Sequence, residues 1–190
     1  MDLNITNEPA RNDFRIASRH DAPLREIFFA TGESALGTVL VARSSHGICA
    51  ILVGSEGGEL TADLAERFPQ STPTRNDRKL AEDLEKILRF IERPERGLDL
   101  DLDIRGTPFQ RRVWDALCAI PCGRTVTYAA LARRIGEPGS ARAVANACAA
   151  NAIALAIPCH RVIRSDGTLS GYRWGIERMR ALLAREALSQ

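Results

Sequence analysis

The residues best equipped for chemistry stand together in Ile157-Pro158-Cys159-His160-Arg161-Val162. A cysteine thiolate is a soft, strong nucleophile, and an adjacent imidazole can take the thiol proton near neutral pH. The apolar run Ile153-Ala154-Leu155-Ala156-Ile157 comes just before and should be buried, so a rigid Pro158 presents the cysteine at its end. Taken alone, the pair also suits a small buried cysteine next to a surface histidine. A third group favours the chemical reading. Near the end of the chain Ile176, Met179, Leu182 and Leu183 form an apolar helical stripe, and at 100° per residue Glu186 falls within about 60° of Met179, Leu182 and Leu183. An inward-facing carboxylate without a partner is costly, an imidazolium or an arginine would make it tolerable, and His160 is the obvious candidate. Cysteine, histidine and a carboxylate that orients the histidine form the general arrangement for making a thiolate.

Those residues need a frame. Residues 1–22 carry charges, Asn and Pro without periodicity and read as a flexible lead. Residues 26–30, 37–42 and 47–53 are short β-rich runs separated by Gly and Ser turns, with Ser44-Ser45-His46-Gly47 closing a hairpin, so a small antiparallel sheet is expected. Leu60, Leu64 and Phe68 recur at helical spacing up to Pro69, and residues 69–77 read as a polar loop. Leu80, Leu84, Ile87, Leu88 and Ile91 mark a second amphipathic helix, ended by Pro94. Residues 98–104 alternate with period two and read as an extended segment. His20 and His46 stand isolated and read as surface residues. Residues 23–104 are thus expected to be an α/β scaffold domain without site chemistry.

The character changes at Arg105-Gly106. Thr107-Pro108-Phe109-Gln110 spells a capping box, with Thr107 as N-cap, Pro108 at the first helical position and Gln110 reaching back. Phe109, Val113, Trp114 and Leu117 form that helix's buried stripe, and Ile120-Pro121-Cys122-Gly123 breaks it. Thr127 caps a helix through Tyr128, Leu131, Ala132 and Ile135; Gly136-Glu137-Pro138-Gly139 turns the chain, and Ser140 caps a helix over residues 141–150. Helix, short turn, helix is the outline of a helix-turn-helix. The second helix offers Arg142 and otherwise mostly small side chains. A helix reading base edges in the major groove would carry several long polar residues. Small residues instead let a backbone press into a minor groove about 6 Å wide, with Arg142 as a probe toward the base stack. A buried alanine-rich packing helix is the competing reading of that segment.

Charge is divided unevenly. Residues 105–190 hold 13 arginines and 5 acidic residues, net +8, whereas residues 1–104 carry net −6. Arginine forks suit phosphate and stacked contacts, so a polyanion partner is expected for the second half. The 5 cysteines are an odd number at irregular spacing and read as thiols; Cys118 and Cys122 lack a second pair, so no metal is expected. No apolar segment approaches the roughly 18 residues of a membrane span, and the polar opening has no signal-peptide core. A cytoplasmic protein with no membrane partner is the expectation.

Pro158-Cys159-His160-Arg161-Val162 resembles the active-site signature of the O6-alkylguanine-DNA alkyltransferases. The likeness runs on through Arg105-Gly106-Thr107, Phe109-Gln110, Val113-Trp114, Ile120-Pro121-Cys122-Gly123, Tyr128, Arg142-Ala143-Val144-Ala145, Ala149-Ala150-Asn151 and residues 167–175, and is similar to the C-terminal half of the bacterial Ada members. With Gly47-Ile48-Cys49-Ala50-Ile51-Leu52 it covers roughly residues 23–188. The resemblance implies an RNase H-like α/β N-terminal domain and a mainly α, winged helix-turn-helix domain over residues 105–190. It implies a bacterial, nucleoid-associated monomer that acts on double-stranded DNA containing O6-alkylguanine, and on O4-alkylthymine, without cofactor.

By the same resemblance Cys159 accepts the alkyl group, His160 is its base through a water, and Glu186 holds His160. Arg142 fills the gap left by the flipped nucleotide, Tyr128 crowds the adjacent phosphate, and Asn151 is a hinge between recognition helix and active-site strand. Ser165, Ser170 and Gly171 line the pocket loop, Gln110 and Arg111 contact the DNA backbone, and Ala143 and Arg161 complete the DNA-contacting set. Extrusion of the base is required because guanine O6 lies on the major-groove side of the pair. Ala129 and Glu137 depart from the amides often found there. The zinc-binding cysteine cluster of Ada members is not in this sequence, so repair of the base lesion without phosphotriester repair is expected. A non-catalytic lesion sensor and a thiol hydrolase stand as alternatives; Cys159 speaks against the first.

Overall fold

The computed structural model of the protein describes residues 14–16, 24–169 and 171–188. Three strands, β2 (Glu26–Ser34), β3 (Gly37–Arg43) and β4 (Ile48–Gly54), follow one another as an antiparallel meander. β3 and β4 are buried at nearly every consecutive position, inward and outward alike. Continuous burial at period one means that both faces of the sheet are covered. α1 (Gly57–Arg67) and α2 (Ala81–Glu92) pack against the meander. Leu60 and Leu64, then Ile87, Phe90 and Ile91, are their buried apolar residues, and Asp83 of α2 is buried against Arg43.

The sheet is mixed rather than antiparallel. Each helix returns the chain to a parallel edge: β5 (Thr72–Arg75) pairs with β2, and β6 (Leu100–Leu102) pairs with β1 (Phe14–Ile16) and, at Leu102, with Ile48 of β4. The order is β1-β6-β4-β3-β2-β5. β5 falls inside the stretch expected to be a polar loop. Its sequence, Thr-Pro-Thr-Arg, carries no apolar alternation, and a proline is tolerated there because the strand lies at the sheet edge. β1 corrects the reading of residues 1–22 as an irregular lead for its own three residues; the rest of that stretch lies outside the described residues.

The second half is helical, with α3 (Pro108–Cys118), α4 (Tyr128–Arg134), α5 (Ala141–Ala149) and α6 (Ile176–Leu188). A short parallel pair joins β7 (Val126–Thr127) to β8 (Val162–Ile163). The capping box at Thr107 is present in both directions, at 3.2 Å from Gln110 N to Thr107 Oγ1 and 2.9 Å from Thr107 N to Gln110 Oε1. Thr127 caps α4 through Ala130 N at 3.1 Å. Ser140 occupies the cap position of α5 but makes no side-chain cap bond. Buried residues of both halves form one hydrophobic cluster. At its centre Ile51 N donates to Ala152 O and Ala154 N donates to Ile51 O, both at 2.9 Å, so β4 holds the segment leading to Cys159. No helix of the described residues is long and apolar enough to cross a membrane.

Candidate active site

The approach to Cys159 is buried but is not a strand. Leu155 sits at φ 69°, in the left-handed region that costs a branched side chain of order 1–3 kcal/mol. Pro158, at φ −80° and ψ 63°, centres an inverse γ-turn closed by Cys159 N donating to Ile157 O at 2.8 Å. Cys159, His160 and Arg161 then form a single 3₁₀ turn before β8. A buried Asn151 holds this path: its Oδ1 accepts from Ile153 N at 2.8 Å, and its Nδ2 donates to Ile153 O at 3.3 Å and Ile157 O at 3.0 Å. The same amide lies 3.5 Å from Cys159 Sγ.

Two consecutive side chains of the turn meet α6. His160 is 0% exposed and Glu186 1% exposed, with His160 Nε2 2.7 Å from Glu186 Oε1. Arg161 forks onto the same carboxylate, with Nε 3.1 Å from both oxygens and Nη2 2.9 Å from Oε1. Gly123 N donates to Oε2 at 3.0 Å. Burial alone would raise the Glu186 pKa, but the hydrogen bonds and charges of His160 and Arg161 outweigh it and hold the group at about 2. Burial lowers the His160 pKa against the pull of Glu186. A neutral imidazole facing an ionised carboxylate must carry its proton on Nε2, a tautomer assigned from the hydrogen-bond pattern. Nδ1 is then the acceptor, and it is buried without a protein partner.

Burial pushes the Cys159 thiol up to about 11, against the Asn151 amide and the backbone amides of Cys159 and His160, which favour the thiolate. The sequence suggests a thiolate made by its neighbour; in the structure the resting group is a thiol. Ionising it at pH 7 costs on the order of 5 kcal/mol. A base acting during the reaction is what the arrangement provides.

Cys159, 6% exposed, lines a cleft too tight to admit a water-sized sphere, with Tyr128, Cys148, Gly171, Tyr172 and Met179. Gly171 takes φ 74° and passes the Tyr128 hydroxyl, so a glycine is suited to this rim. Tyr172 stands edge-on to His160 at 6.3 Å between ring centres. A larger cavity of about 180 Å³ lies between Phe68, Ile104 and Trp114 and reaches Asn151 but not Cys159.

The structure brings together Cys159, His160, Glu186, Asn151, Tyr128 and Gly171. Arg142 and Ala143 are exposed on α5, whose opposite face buries Val144, Ala147 and Cys148, so the helix is neither wholly buried nor wholly free. Ser165 is exposed on the loop after β8; Ser170 lies outside the described residues. Gln110 spends its side-chain oxygen on the α3 cap, and Arg111 beside it is half-buried. Glu137 pairs with Arg112 at 3.1 Å. Arg161 is a correction: expected among DNA contacts, it is 3% exposed, and its guanidinium is taken by Glu186 and by Ile120 O at 2.6 Å. Sequence reasoning missed Gly123 as a partner of Glu186; its one signal was a glycine closing a helix-breaking Pro-Cys-Gly. Among the described residues no group of three or more His, Cys, Asp or Glu could hold a metal ion.

Residues 108–188 match the family model described as 6-O-methylguanine DNA methyltransferase, DNA binding domain. The chain is 47% identical over 169 residues to the bifunctional transcriptional activator/DNA repair enzyme Ada of Escherichia coli, covering 89% of this chain and 48% of that protein. It spans about half the length of the two Ada proteins it matches. It is also 46% identical over 113 residues to the methylated-DNA–protein-cysteine methyltransferase of Mycolicibacterium paratuberculosis, covering 60% of this chain and 68% of that one. Among solved structures, the Mycobacterium tuberculosis O6-methylguanine methyltransferase superposes with TM-score 0.72 at 34% identity, over 86% of this chain and 94% of the other. The structure of Mycobacterium tuberculosis OGT in complex with DNA gives 0.70 over the same shares.

Proposed function

The chain belongs to the family of the methylated-DNA–protein-cysteine methyltransferases, and we propose that it repairs O6-alkylguanine, and O4-alkylthymine, in duplex DNA by moving the alkyl group onto Cys159. The sulfur attacks the alkyl carbon, the carbon–oxygen bond breaks, and its electron pair returns to the purine. The thiol proton, taken by His160 through a water at Nδ1, ends on the expelled guanine, so atoms and charge balance. A thioether is a very poor leaving group; each molecule therefore acts once. No cofactor or metal is needed, because the sulfur is both nucleophile and final acceptor.

The observation that carries this reading is the pairing of a cleft-lining Cys159 with a neighbouring imidazole fixed by Glu186. The exposed face of α5 supports the DNA contact: Arg142, Ala143 and Asn146 stand outward, small enough for a minor groove except for the arginine. In this reading Arg142 fills the stack, Tyr128 at the cleft crowds the adjacent phosphate, and Ser165, Ser170 and Gly171 receive the extruded base. We read residues 23–104 as an RNase H-like scaffold and residues 105–190 as a winged helix-turn-helix domain, with α4 and α5 as the helix pair and β7–β8 beside them. The protein acts as a monomer in the bacterial cytoplasm, nucleoid-associated when on DNA.

The test is incubation with duplex DNA carrying labelled O6-methylguanine, followed by peptide mass spectrometry. At most one equivalent of label should appear, all of it on Cys159, and none in Cys159→Ala. Turnover beyond one equivalent would mean a thiol hydrolase. Tight duplex binding without label would mean a lesion sensor. Arg142→Ala should slow transfer from duplex while leaving reaction with free O6-benzylguanine unchanged; equal loss on both rejects the flipping role.

A further inference from the structure

Of the thirteen arginines in residues 105–190, only Arg161 is withdrawn from solvent. Its position gives it a job that a surface cation cannot do. Glu186 receives His160 Nε2–H, the Nε and Nη2 groups of Arg161, and the Gly123 amide. Arg161 Nη1 meanwhile donates to Ile120 O, tying down the loop that supplies Gly123. Gly123 takes φ 72°, a left-handed turn that favours glycine. The result is a closed ring: turn, helix α6, loop 120–123, and back to the turn.

The charges facing this ring are few. His160 is met by Cys159 and Arg161 of its own turn, Glu186 of α6 and Tyr172. Glu186 is met by His160, Arg161, Tyr172 and, from the loop, the half-buried Cys122, while Cys118 of α3 faces Arg161. A buried carboxylate demands one positive charge nearby. Were Arg161 absent, the only group bonded to Glu186 still able to take a positive charge would be His160, and an imidazolium has no lone pair to offer a thiol. Resting thiol, neutral imidazole and the Arg161–Glu186 pair sum to zero charge, and they still do after the thiol proton moves to His160.

We propose that Arg161, assisted by the Gly123 amide, is a positioning residue for alkyl transfer: it supplies the positive charge that Glu186 would otherwise draw onto His160, and so keeps Nδ1 available as a base. The proposal rests on the alkyl-transfer reading for its purpose, but the state of His160 can be measured without any transfer.

Nitrogen NMR of the imidazoles across pH, in wild type, Arg161→Met, Arg161→Lys and the double variant Arg161→Met/Glu186→Gln, provides that measurement. Alongside it, the pH dependence of the rate with free O6-benzylguanine is followed. In wild type His160 should remain the neutral Nε2–H tautomer well below pH 6.5. In Arg161→Met its titration should move up by about one to two pH units, and the acid limb of the rate should move with it. At the acid end of the profile the rate should then lie about tenfold or more below wild type, and the two should meet above pH 8. Arg161→Lys should stay close to wild type in pH and lose only the fork. The double variant, with neither charge, should return His160 to the neutral form. A folded Arg161→Met protein with unmoved His160 titration, or a rate loss equal at every pH, overturns the proposal. If Arg161→Met does not fold, the Lys and double variants decide it: a protonated His160 at pH 7 in either one counts against it. Wild-type protein that transfers nothing would sink the functional reading while leaving the His160 titrations to be judged on their own.

Discussion

β4 and the segment from Asn151 to Val162 are both apolar runs with almost every residue buried, and they touch at Ile51 and Ile153. In β4 the backbone groups are answered by neighbouring strands, and the side chains only fill space. In the second segment the backbone turns through Leu155 and Pro158, and between the single bridge at Ile153 and the start of β8 at Val162 it has no ladder. Its polar groups are answered by short turns and by one side chain, Asn151, which serves both Ile153 and Ile157. Burial alone therefore says little about tolerance. A ladder spreads its specification over many residues, whereas an irregular buried path concentrates it in a few.

The widest gap should appear when each region loses one residue. Asn151→Ala leaves Ile153 N–H buried without its partner, at roughly 1–3 kcal/mol, and takes one of two hydrogen bonds from each of Ile153 O and Ile157 O, so a loss of about 2–4 kcal/mol is expected. Ile51→Val in β4 removes one methylene and should cost about 0.5–1.5 kcal/mol, with alkyl transfer intact. Urea titrations of both variants measure the two numbers. Similar losses would break the comparison.

Acid should separate the regions next. Glu186 is held at about 2 against an ordinary 4.5, burial opposing and His160 and Arg161 prevailing. A carboxylate with a depressed folded pKa stabilises the fold above its unfolded value of 4.5, and that contribution is lost as pH falls toward 2. The difference corresponds to about 3 kcal/mol. His160, lowered by burial, acts in the same sense: below 6.5 the unfolded imidazole takes up a proton that the folded one refuses, so stability begins to decline there. β4 holds no carboxylate and contributes nothing to this slope. Stability from urea titration at pH 7, 5 and 3.5 should fall, and Glu186→Gln should flatten the lower part of the fall. An unchanged slope in that variant would place the acid sensitivity outside the site.

The same contrast explains what could be read from the amino-acid sequence. The meander strands and the helices announce themselves by period, and Thr107-Pro108-Phe109-Gln110 specifies its cap in four letters. Cys159, His160 and Glu186 were legible because two are adjacent and the third falls on an apolar stripe. β5 was not, since an edge strand borrows its regularity from β2 rather than from its own Thr-Pro-Thr-Arg. Arg161 was misplaced because an arginine in a basic half looks like a surface charge; the inward Glu186 was legible, but only tertiary packing shows that Arg161 joins His160 on it. The left-handed Leu155 carries no local signal at all; the packing on both sides imposes it.

The smallest effects should come from the helix caps, where local bonds act without the core. Thr107 and Ser140 look alike in sequence, each a hydroxyl residue at the start of a helix in the second half. Thr107 accepts from Gln110 N at 3.2 Å, and Thr107→Ala should cost about 1 kcal/mol. Ser140, at φ −97° and ψ 24°, lacks the extended backbone that aims a cap side chain at the next turn, and it makes no cap bond. Ser140→Ala should therefore change stability by less than about 0.5 kcal/mol, the ordinary range for a surface substitution. Thermal melts of the two variants under one buffer check this. Equal shifts would mean that Ser140 reaches the α5 amides in solution, and that the start of α5 is set by a local bond instead of by packing of Val144 and Ala147 beneath it.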